Sequence, residues 1–340
     1  MSARERIIPV FVPHLGCPND CVFCNQRRIS GKQEPASAED VRRAVEEGIP
    51  KAGSGENVQL AFYGGSFTAI PVDEQLSLLG AAKSYVDRGM ISSVRLSTRP
   101  DAIDPEVLLR LRNYGVGTVE LGAQSLCDDV LLLSGRGHTA ADVENASRMI
   151  KEAGFRLILQ MMTGLPGDTP EKSMETARKI IALKPDGVRI YPTVIVRDTA
   201  LYDLWKAGLY SEHTVEDAVE LCSVLLPMFE AAGIPVIRLG LNPTDELSSG
   251  AAAGGAYHPA LGELVKSRIL RKAAEKLLDS CDFPSGERKI VLGVPVGLVS
   301  QMTGQHRCNI EYLKKKYSLS ELRVVKDGSL AGSGFSIRFS

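Results

Sequence analysis

The stretch "IIPVFVPHLGCPNDCVFC", residues 7–24, joins an apolar run to three cysteines that lie within eight residues of one another. The apolar run at residues 7–12 has the length and composition of a β-strand. Cys17, Cys21 and Cys24 follow it in a loop whose spacing can turn all three thiolates to one side. The stretch therefore predicts a strand that leads directly into a metal site.

Beyond this first strand, short β-rich runs alternate with helix-like segments to about residue 240. Candidate strands lie at residues 7–12, 58–63, 94–97, 118–121, 157–161, 188–191 and 235–239. Candidate helices lie at residues 38–48, 73–87, 105–114, 140–153, 170–183 and 214–232. This alternation is typical of βαβ units with a parallel sheet. The number of units favours an α/β fold, a full or partial (β/α) TIM-like barrel, over a short open sheet.

Polar and glycine-rich sequences follow the predicted strands. They are "CPNDC", "YGGSF", "STRPD", "GAQS", "TGLPGD" and "YPT". The carboxyl ends of parallel strands meet at one edge of a sheet or barrel, and binding sites form there. A single one of these sequences would be an ordinary turn, but six that each follow the carboxyl end of a predicted strand predict one shared pocket.

Composition limits the class of protein. The chain has 340 residues, of which 44% are hydrophobic and 24% charged, so it can form a large globular core. No apolar run approaches the roughly 20 residues that span a bilayer, and the N-terminus does not resemble a signal peptide. An odd cysteine count of seven, with four scattered, argues against a secreted disulfide framework. We therefore expect a cytoplasmic protein without a membrane segment.

The identity of the metal depends on the number of ligands. Structural zinc usually has four ligands in two separated pairs, and the chain has no second cysteine pair. His14 could be a fourth ligand, but it precedes Cys17 by only three residues. Three thiolates without a fourth favour a [4Fe–4S] cluster, because one iron is then left open to bind another molecule.

The C-x3-C-x-Φ-C pattern, with Phe23 as the aromatic residue, resembles that of the radical S-adenosylmethionine (SAM) enzymes when it follows the first strand of a βα array. The resemblance implies that Cys17, Cys21 and Cys24 hold a [4Fe–4S] cluster whose open iron chelates SAM. An electron from a reductase or a flavodoxin- or ferredoxin-type donor then cleaves SAM, and the 5′-deoxyadenosyl radical abstracts a substrate hydrogen. The "FYGGSF" sequence would supply Gly64 and Gly65 to receive the SAM amino group, with Ser66 where the family commonly has Glu.

Four downstream sequences narrow the resemblance to the radical SAM domain of the Elongator catalytic subunit (Elongator protein 3-like), a tRNA modification enzyme. They are "STRPDAID", "VELGAQSLCDDVLLLSGRGHT", "MMTGLPGDT" and "DGVRIYPTVIVRDTALYDLWKAGLY". By resemblance, Gln124, Ser125 and Arg136 approach the SAM carboxylate or ribose. Ser97 is a further candidate, although the family often has Glu there. Tyr191 and Arg197 are candidate catalytic residues in the pocket.

The C-terminal part differs from the family. Residues after the match contain no phosphate loop of the acetyl-CoA type, so the acetyltransferase domain of the Elongator subunit is not expected here. We predict a radical SAM barrel at residues 1–245 and, at residues 246–340, a small-residue linker ("SSGAAAGGAYHP"), an amphipathic helix over 261–278 and a small α+β appendage.

The appendage carries the evidence for an RNA partner. Residues 263–326 contain 13 Lys or Arg against 7 Asp or Glu, while the whole chain has a net charge of only −1. The order helix, turn, helix, strand resembles a KH RNA-binding module with only Gly304 in its loop, and Arg307, Lys314, Lys315 and Lys316 could contact phosphates.

Three functions follow from these observations. The first is a radical SAM enzyme that modifies RNA, which the resemblance implies is tRNA. The second is radical SAM chemistry on a small molecule or a peptide, with the appendage as a lid. The third is a non-catalytic RNA-binding or structural protein whose cysteines hold a structural metal.

Overall fold

The computed structural model describes residues 5–12, 17, 21–25, 35–51, 57–243, 247–281, 289–332 and 334–339. Contacts divide the chain into two units. The first unit comprises residues 1–214 and 228–257, and the second comprises residues 215–227 and 258–340. The predicted domain boundary between residues 245 and 246 lies outside the described residues and stays a prediction.

A parallel sheet forms the centre of the first unit. Its strands are β1 (Glu5–Val12), β2 (Asn57–Gly64), β3 (Ser93–Thr98), β4 (Val116–Gln124), β5 (Arg156–Thr163), β6 (Gly187–Pro192), β7 (Val194–Val196), β8 (Val236–Leu239) and β9 (Ala252–Gly255). Seven of them pair in parallel in the order β1-β2-β3-β4-β5-β6-β8, which leaves β1 and β8 at the edges. This α/β architecture confirms the predicted fold in its partial form, because the sheet is open.

Helices connect the parallel strands. They are α1 (Ala38–Gly48), α2 (Val72–Asp87), α3 (Pro105–Asn113), α4 (Asp128–Leu133), α5 (Ala140–Glu152), α6 (Pro170–Leu183), α7 (Ala200–Lys206) and α8 (Val215–Ala231). Side-chain caps define where several of them begin, because a cap oxygen satisfies a backbone N–H that has no partner within the helix. Ser37 and Thr139 form capping boxes, and Asp104 and Thr169 cap α3 and α6.

Four short elements were not expected from the sequence: α4, α7, β7 and β9. The prediction of a linker over "SSGAAAGGAYHP" is wrong for Ala252–Gly255, because β9 pairs antiparallel with β7. Alanine and glycine have low strand propensity, so nothing local in this segment indicates a strand. It becomes one through its pairing with the β-branched sequence Val194–Val196.

The second unit has its own core. Its remaining elements are α9 (Leu261–Asp279), β10 (Lys289–Val294), α10 (Val299–Thr303), α11 (Cys308–Tyr317), β11 (Glu321–Lys326) and β12 (Ser336–Phe339). The strands pair in the order β11-β10-β12. The predicted amphipathic helix is confirmed as α9, which buries Val265, Leu270, Ala274 and Leu278 along one side.

Gly64, at the end of β2, allows the backbone to approach the end of β1. Its φ is +112°, and a Cβ built on it would lie 2.5 Å from the carbonyl oxygen of Val12. The next residue, Gly65, donates its backbone N–H to that same oxygen at 2.9 Å. The double glycine therefore joins the two strands where the cysteine loop begins.

We expect Gly64→Ala to lower the unfolding free energy more than Gly89→Ala does. Both residues have positive φ, but a Cβ on Gly89 would meet nothing within 4 Å. Gly89→Ala therefore measures only the cost of placing an alanine at positive φ, roughly 1–2 kcal/mol. The additional loss in Gly64→Ala reports the clash with Val12. Urea denaturation followed by circular dichroism measures both, and equal losses would contradict the close approach.

Candidate active site

One cavity of about 520 Å³ lies on the inner face of the sheet, towards the carboxyl ends of its strands. Six neighbouring strands contribute side chains, among them Phe11 of β1, Tyr63 of β2, Glu120 of β4 and Arg189 of β6. A single cavity reached from β1 through β6 requires the sheet to curl around it. Five of the six turn sequences contribute residues to this pocket, as the sequence predicts, whereas no residue of "TGLPGD" lines it.

Cys17, Cys21 and Cys24 all line this cavity. The backbone N–H of Cys24 donates to the Cys21 carbonyl at 2.9 Å, which closes a turn between these two ligand candidates. The Sγ of Cys17 lies 3.7 Å from Ser66 Oγ, and Arg136 Nη1 donates to Cys21 Sγ at 3.2 Å. His14, the alternative ligand, lies outside the described residues.

Three cysteine thiols have the chemistry of the ligands of a [4Fe–4S] cluster. Within the described residues, no three His, Cys, Asp or Glu side chains converge on one point as the ligands of an ion would. Each thiolate of a [4Fe–4S] cluster binds its own iron, so the sulfurs need to surround a space rather than meet at one point. The three free thiols line one cavity, and Arg136 offers a charged hydrogen bond to the sulfur of Cys21.

Five of the predicted SAM contacts line the same cavity: Gly64, Gly65, Ser97, Gln124 and Arg136. Gln124 accepts from Gln160 Nε2 at 3.1 Å through its Oε1 and has a φ of +63°, where β4 shifts register against β5. Arg136 Nη2 donates to the Gly122 carbonyl at 2.8 Å.

Gly122 makes room for this arrangement. A Cβ on Gly122 would lie 2.8 Å from the side-chain nitrogen Nε2 of Gln124 and 3.4 Å from Arg136 Nη2. A side chain at this position would displace the side-chain amide of Gln124, so Gly122 leaves room for Gln124 beside the strand.

Two predicted residues do not line the cavity. Ser125 is buried beside α6, where its Oγ accepts from the Cys127 N–H at 3.1 Å. Arg197 is exposed; its Nε donates to the Gly250 carbonyl at 2.9 Å and its Nη1 to Tyr202 Oη at 3.2 Å. Their roles in SAM binding and catalysis stay predictions.

A second guanidinium lies next to the cysteines. Arg99 is buried and lines the cavity; its Nε and Nη2 donate to the Asp101 carboxylate at 2.9 and 3.0 Å. Burial acts to lower the pKa of Arg99, but Asp101, with Cys21 and Cys17, outweighs it and raises that pKa. The Nη1 of Arg99 is buried and has no hydrogen-bond partner among the described residues, so this N–H donor remains available to a ligand in the cavity.

The inner end of the cavity carries an ionic cluster that the sequence patterns did not reveal. Glu120, only 4% exposed, accepts from Arg95 Nη1 at 3.2 Å, from Arg189 Nε at 2.8 Å and from Tyr63 Oη at 3.1 Å. Arg189 also donates to Tyr191 Oη at 3.3 Å. We name Tyr63, Glu120, Arg189 and Tyr191 the inner polar cluster.

A signal for this cluster does exist in the sequence. Glu120 and Arg189 are charged residues inside otherwise apolar strands, "VELG" and "VRIY". In a (β/α) barrel, alternate strands supply one layer of inward side chains, and Tyr63, Glu120 and Arg189 come from β2, β4 and β6. Charges at inward positions of alternate strands are expected to pair with one another.

A curled parallel sheet with three cysteines and a double glycine at its carboxyl edge defines a class of enzymes that hold an iron–sulfur cluster and SAM. The model of the radical SAM superfamily matches residues 11–180, half of the chain, and a radical SAM C-terminal domain matches residues 185–271. The chain belongs to the radical SAM superfamily, whose cofactors are a [4Fe–4S] cluster and SAM.

Similar proteins include Elongator complex protein 3 of Homo sapiens, 27% identical over 72% of this chain and 47% of that protein. A tRNA uridine(34) acetyltransferase of Dehalococcoides mccartyi is 26% identical over 72% of this chain and 62% of that protein. The chain spans about half the length of the curated relatives it matches. The solved structure of an archaeal Elp3 from Methanocaldococcus infernus shares the fold, with a TM-score of 0.62, 20% identity and coverage of 86% of this chain and 72% of that one.

These matches confirm the predicted superfamily and the predicted resemblance to Elongator protein 3. No helix in the described part of the chain has both the length and the apolar composition needed to cross a membrane.

His138, beside the cavity, predicts a pH-dependent stability. Burial, with the charge of Arg136, lowers the pKa of His138 to about 4. Between pH 6.5 and 4 the unfolded chain therefore binds a proton that the folded chain does not, so stability falls as the pH is lowered. From pH 7 to pH 5 we expect a loss of about 2 kcal/mol.

His138→Gln should remove this part of the pH dependence, because the amide does not titrate. Urea denaturation of both proteins at pH 7 and pH 5 gives the difference. If both lose the same free energy of unfolding, His138 does not have the lowered pKa.

Proposed function

We propose that this radical SAM enzyme acts on RNA, and on tRNA in particular. The main support for SAM chemistry is the gathering of Cys17, Cys21 and Cys24 around one cavity with Gly64 and Arg136. Support for tRNA comes from relatives whose names include tRNA uridine(34) acetyltransferase. The proposal does not extend to acetyl transfer.

In this proposal the three cysteines hold the cluster as thiolates. When bound, the cluster and SAM supply reductive cleavage of SAM to methionine and a 5′-deoxyadenosyl radical, with one electron from a flavodoxin- or ferredoxin-type donor. The N–H of Arg136 on Cys21 Sγ stabilises the negative charge of that thiolate. Apolar side chains of the cavity, such as Phe11 and Met162, reduce the access of water to the reacting atoms.

The remaining cavity residues orient SAM. Gly64 and Gly65 offer backbone at close range, because neither has a side chain. The second guanidinium nitrogen of Arg136 and the amide of Gln124 provide donors for a carboxylate or a ribose, and Ser97 offers a hydroxyl. Tyr191 remains the candidate catalytic residue on the substrate side of the cavity.

After anaerobic reconstitution we expect about four irons per chain and 5′-deoxyadenosine once SAM and a reductant are present. Cys24→Ala should abolish both, because it removes one of three cluster ligands. Cys281→Ala is the matched control, since Cys281 is also half-buried but lies in the second unit, and it should behave like the wild type. A Cys24→Ala protein that retained cluster and SAM cleavage would refute the proposed ligand set.

We further propose that the second unit contacts RNA. It contains the helix, turn, helix and strand that resemble a KH module, as α10, α11 and β11. Lys316 forms an ion pair with Glu275 at 2.7 Å, whereas Lys314 and Lys315 form none within the described residues. Lys314 and Lys315 are therefore more available for phosphates than Lys316 is.

The double variant Lys314→Glu/Lys315→Glu should lose crosslinks to RNA in cells. The control variant Arg178→Glu/Lys184→Glu changes the net charge by the same amount at two exposed positions of the first unit, so it should keep the crosslinks to RNA. Sequencing of crosslinked RNA gives both results. Equal losses in the two variants would mean that only overall charge matters, and absence of RNA from the wild-type protein would refute an RNA substrate.

A further inference from the structure

We propose that Tyr191 donates a hydrogen bond to the substrate and that the rest of the inner polar cluster positions it. The inference rests on the proposed function, because it takes the cavity to hold a substrate beside SAM. Tyr191 is the catalytic candidate, and Arg189 and Glu120 are positioning residues in this proposal.

The phenol and its guanidinium partner are neighbours on one strand. Arg189 and Tyr191 are two residues apart on β6, so their side chains lie on the same face of the sheet. Both line the cavity, and Arg189 Nη1 donates to Tyr191 Oη at 3.3 Å. Met162, the β5 residue in register with Tyr191, lines the cavity beside it.

Arg189 is itself held by other hydrogen bonds. Its Nε donates to Glu120 Oε2 at 2.8 Å, and its Nη2 donates to Glu120 Oε1 at 3.1 Å and to Tyr63 Oη at 3.0 Å. Glu120 is held in turn by Arg95 from the other side. A two-point contact between a guanidinium and a carboxylate restricts the plane of both groups.

The proton of Tyr191 is the unused donor of this cluster. Tyr63 donates its proton to Glu120 Oε1 at 3.1 Å, whereas the described residues contain no acceptor for the proton of Tyr191. Because Arg189 occupies a lone pair of the Tyr191 oxygen, the O–H is directed away from Arg189. A cation that donates to a hydroxyl oxygen also polarises its O–H, which makes it a stronger donor.

The surroundings define the chemistry of the acceptor. The walls of the cavity are largely apolar, with Phe11, Leu121, Met162 and Val194, and the charge of Glu120 is already balanced by Arg95 and Arg189. A charged group would lose its hydration here without gaining a free counter-ion. A neutral, flat heterocycle with a carbonyl oxygen fits, and a pyrimidine base has this chemistry.

The test compares two RNA probes on the reconstituted holoprotein. One is a fluorescein-labelled stem–loop with uridine in the loop, and the other has an abasic site at the same position. The variants are Tyr191→Phe and Arg189→Met. The matched control is Tyr202→Phe, because Tyr202 Oη accepts from Arg197 at 3.2 Å in the same way but does not line the cavity.

We expect Tyr191→Phe to weaken binding of the uridine probe about tenfold and to leave the abasic probe unchanged. Arg189→Met should weaken the uridine probe to a similar extent, and the double variant should be little worse than either single variant, because both changes remove the same contact. Tyr202→Phe should match the wild type. If Tyr191 had a purely structural role, Tyr191→Phe would weaken the binding of both probes equally.

A second readout separates this proposal from the proposed function. Formation of 5′-deoxyadenosine without RNA is measured on the wild-type holoprotein, separately from the binding of the two RNA probes. Absence of 5′-deoxyadenosine in the wild type would refute the proposed function alone. A wild type that binds both probes equally, or a Tyr191→Phe protein that still prefers uridine as the wild type does, would overturn the role of Tyr191. If Arg189→Met does not fold, the Tyr191→Phe comparison still decides.

Discussion

A carboxylate buried inside a parallel sheet needs cationic partners, because desolvation of an isolated charge there is costly. Glu120 has two guanidinium partners, Arg95 from β3 and Arg189 from β6. Arg95 also pairs with Glu5 of β1, and Glu5 accepts from Arg156 of β5. Ion pairs therefore join five strands, with Arg95 and Glu120 buried and Arg156 exposed. Removal of one of these ion-pair partners would leave the charge of the other partner buried and uncompensated.

These pairs also keep the inner end of the cavity in one protonation state. Burial acts to lower the pKa of Arg189, but Glu120 and the neighbouring tyrosines outweigh it and raise that pKa above its ordinary value. Burial, with the charge of Glu120, raises the pKa of Tyr63 to about 12. Both shifts extend to higher pH the range over which Arg189 keeps its charge and Tyr63 keeps its proton.

The strands, the longer helices and the cysteine loop are predictable because each depends on a local pattern. The pairing of Glu120 with Arg189 is not, since the two residues lie 69 positions apart and meet only when the sheet curls. Ser125 and Gln124 are adjacent at the end of a strand, where neighbouring side chains turn to different sides, and only Gln124 lines the cavity. The position of the Arg197 side chain depends on the pairing of β7 with β9. The Ala/Gly composition of β9 does not indicate this pairing.

The contact between Arg189 and Tyr191 has a thermodynamic consequence for recognition. A phenol whose oxygen is already held by a fixed guanidinium loses its rotational freedom when the chain folds, not when a ligand arrives. An exposed lysine such as Lys315 must instead give up the entropy of a long, mobile side chain in the complex. In the proposed complex with RNA, the inner polar cluster thus provides selectivity at a low entropic cost, whereas the lysines of the second unit provide long-range attraction at a higher entropic cost.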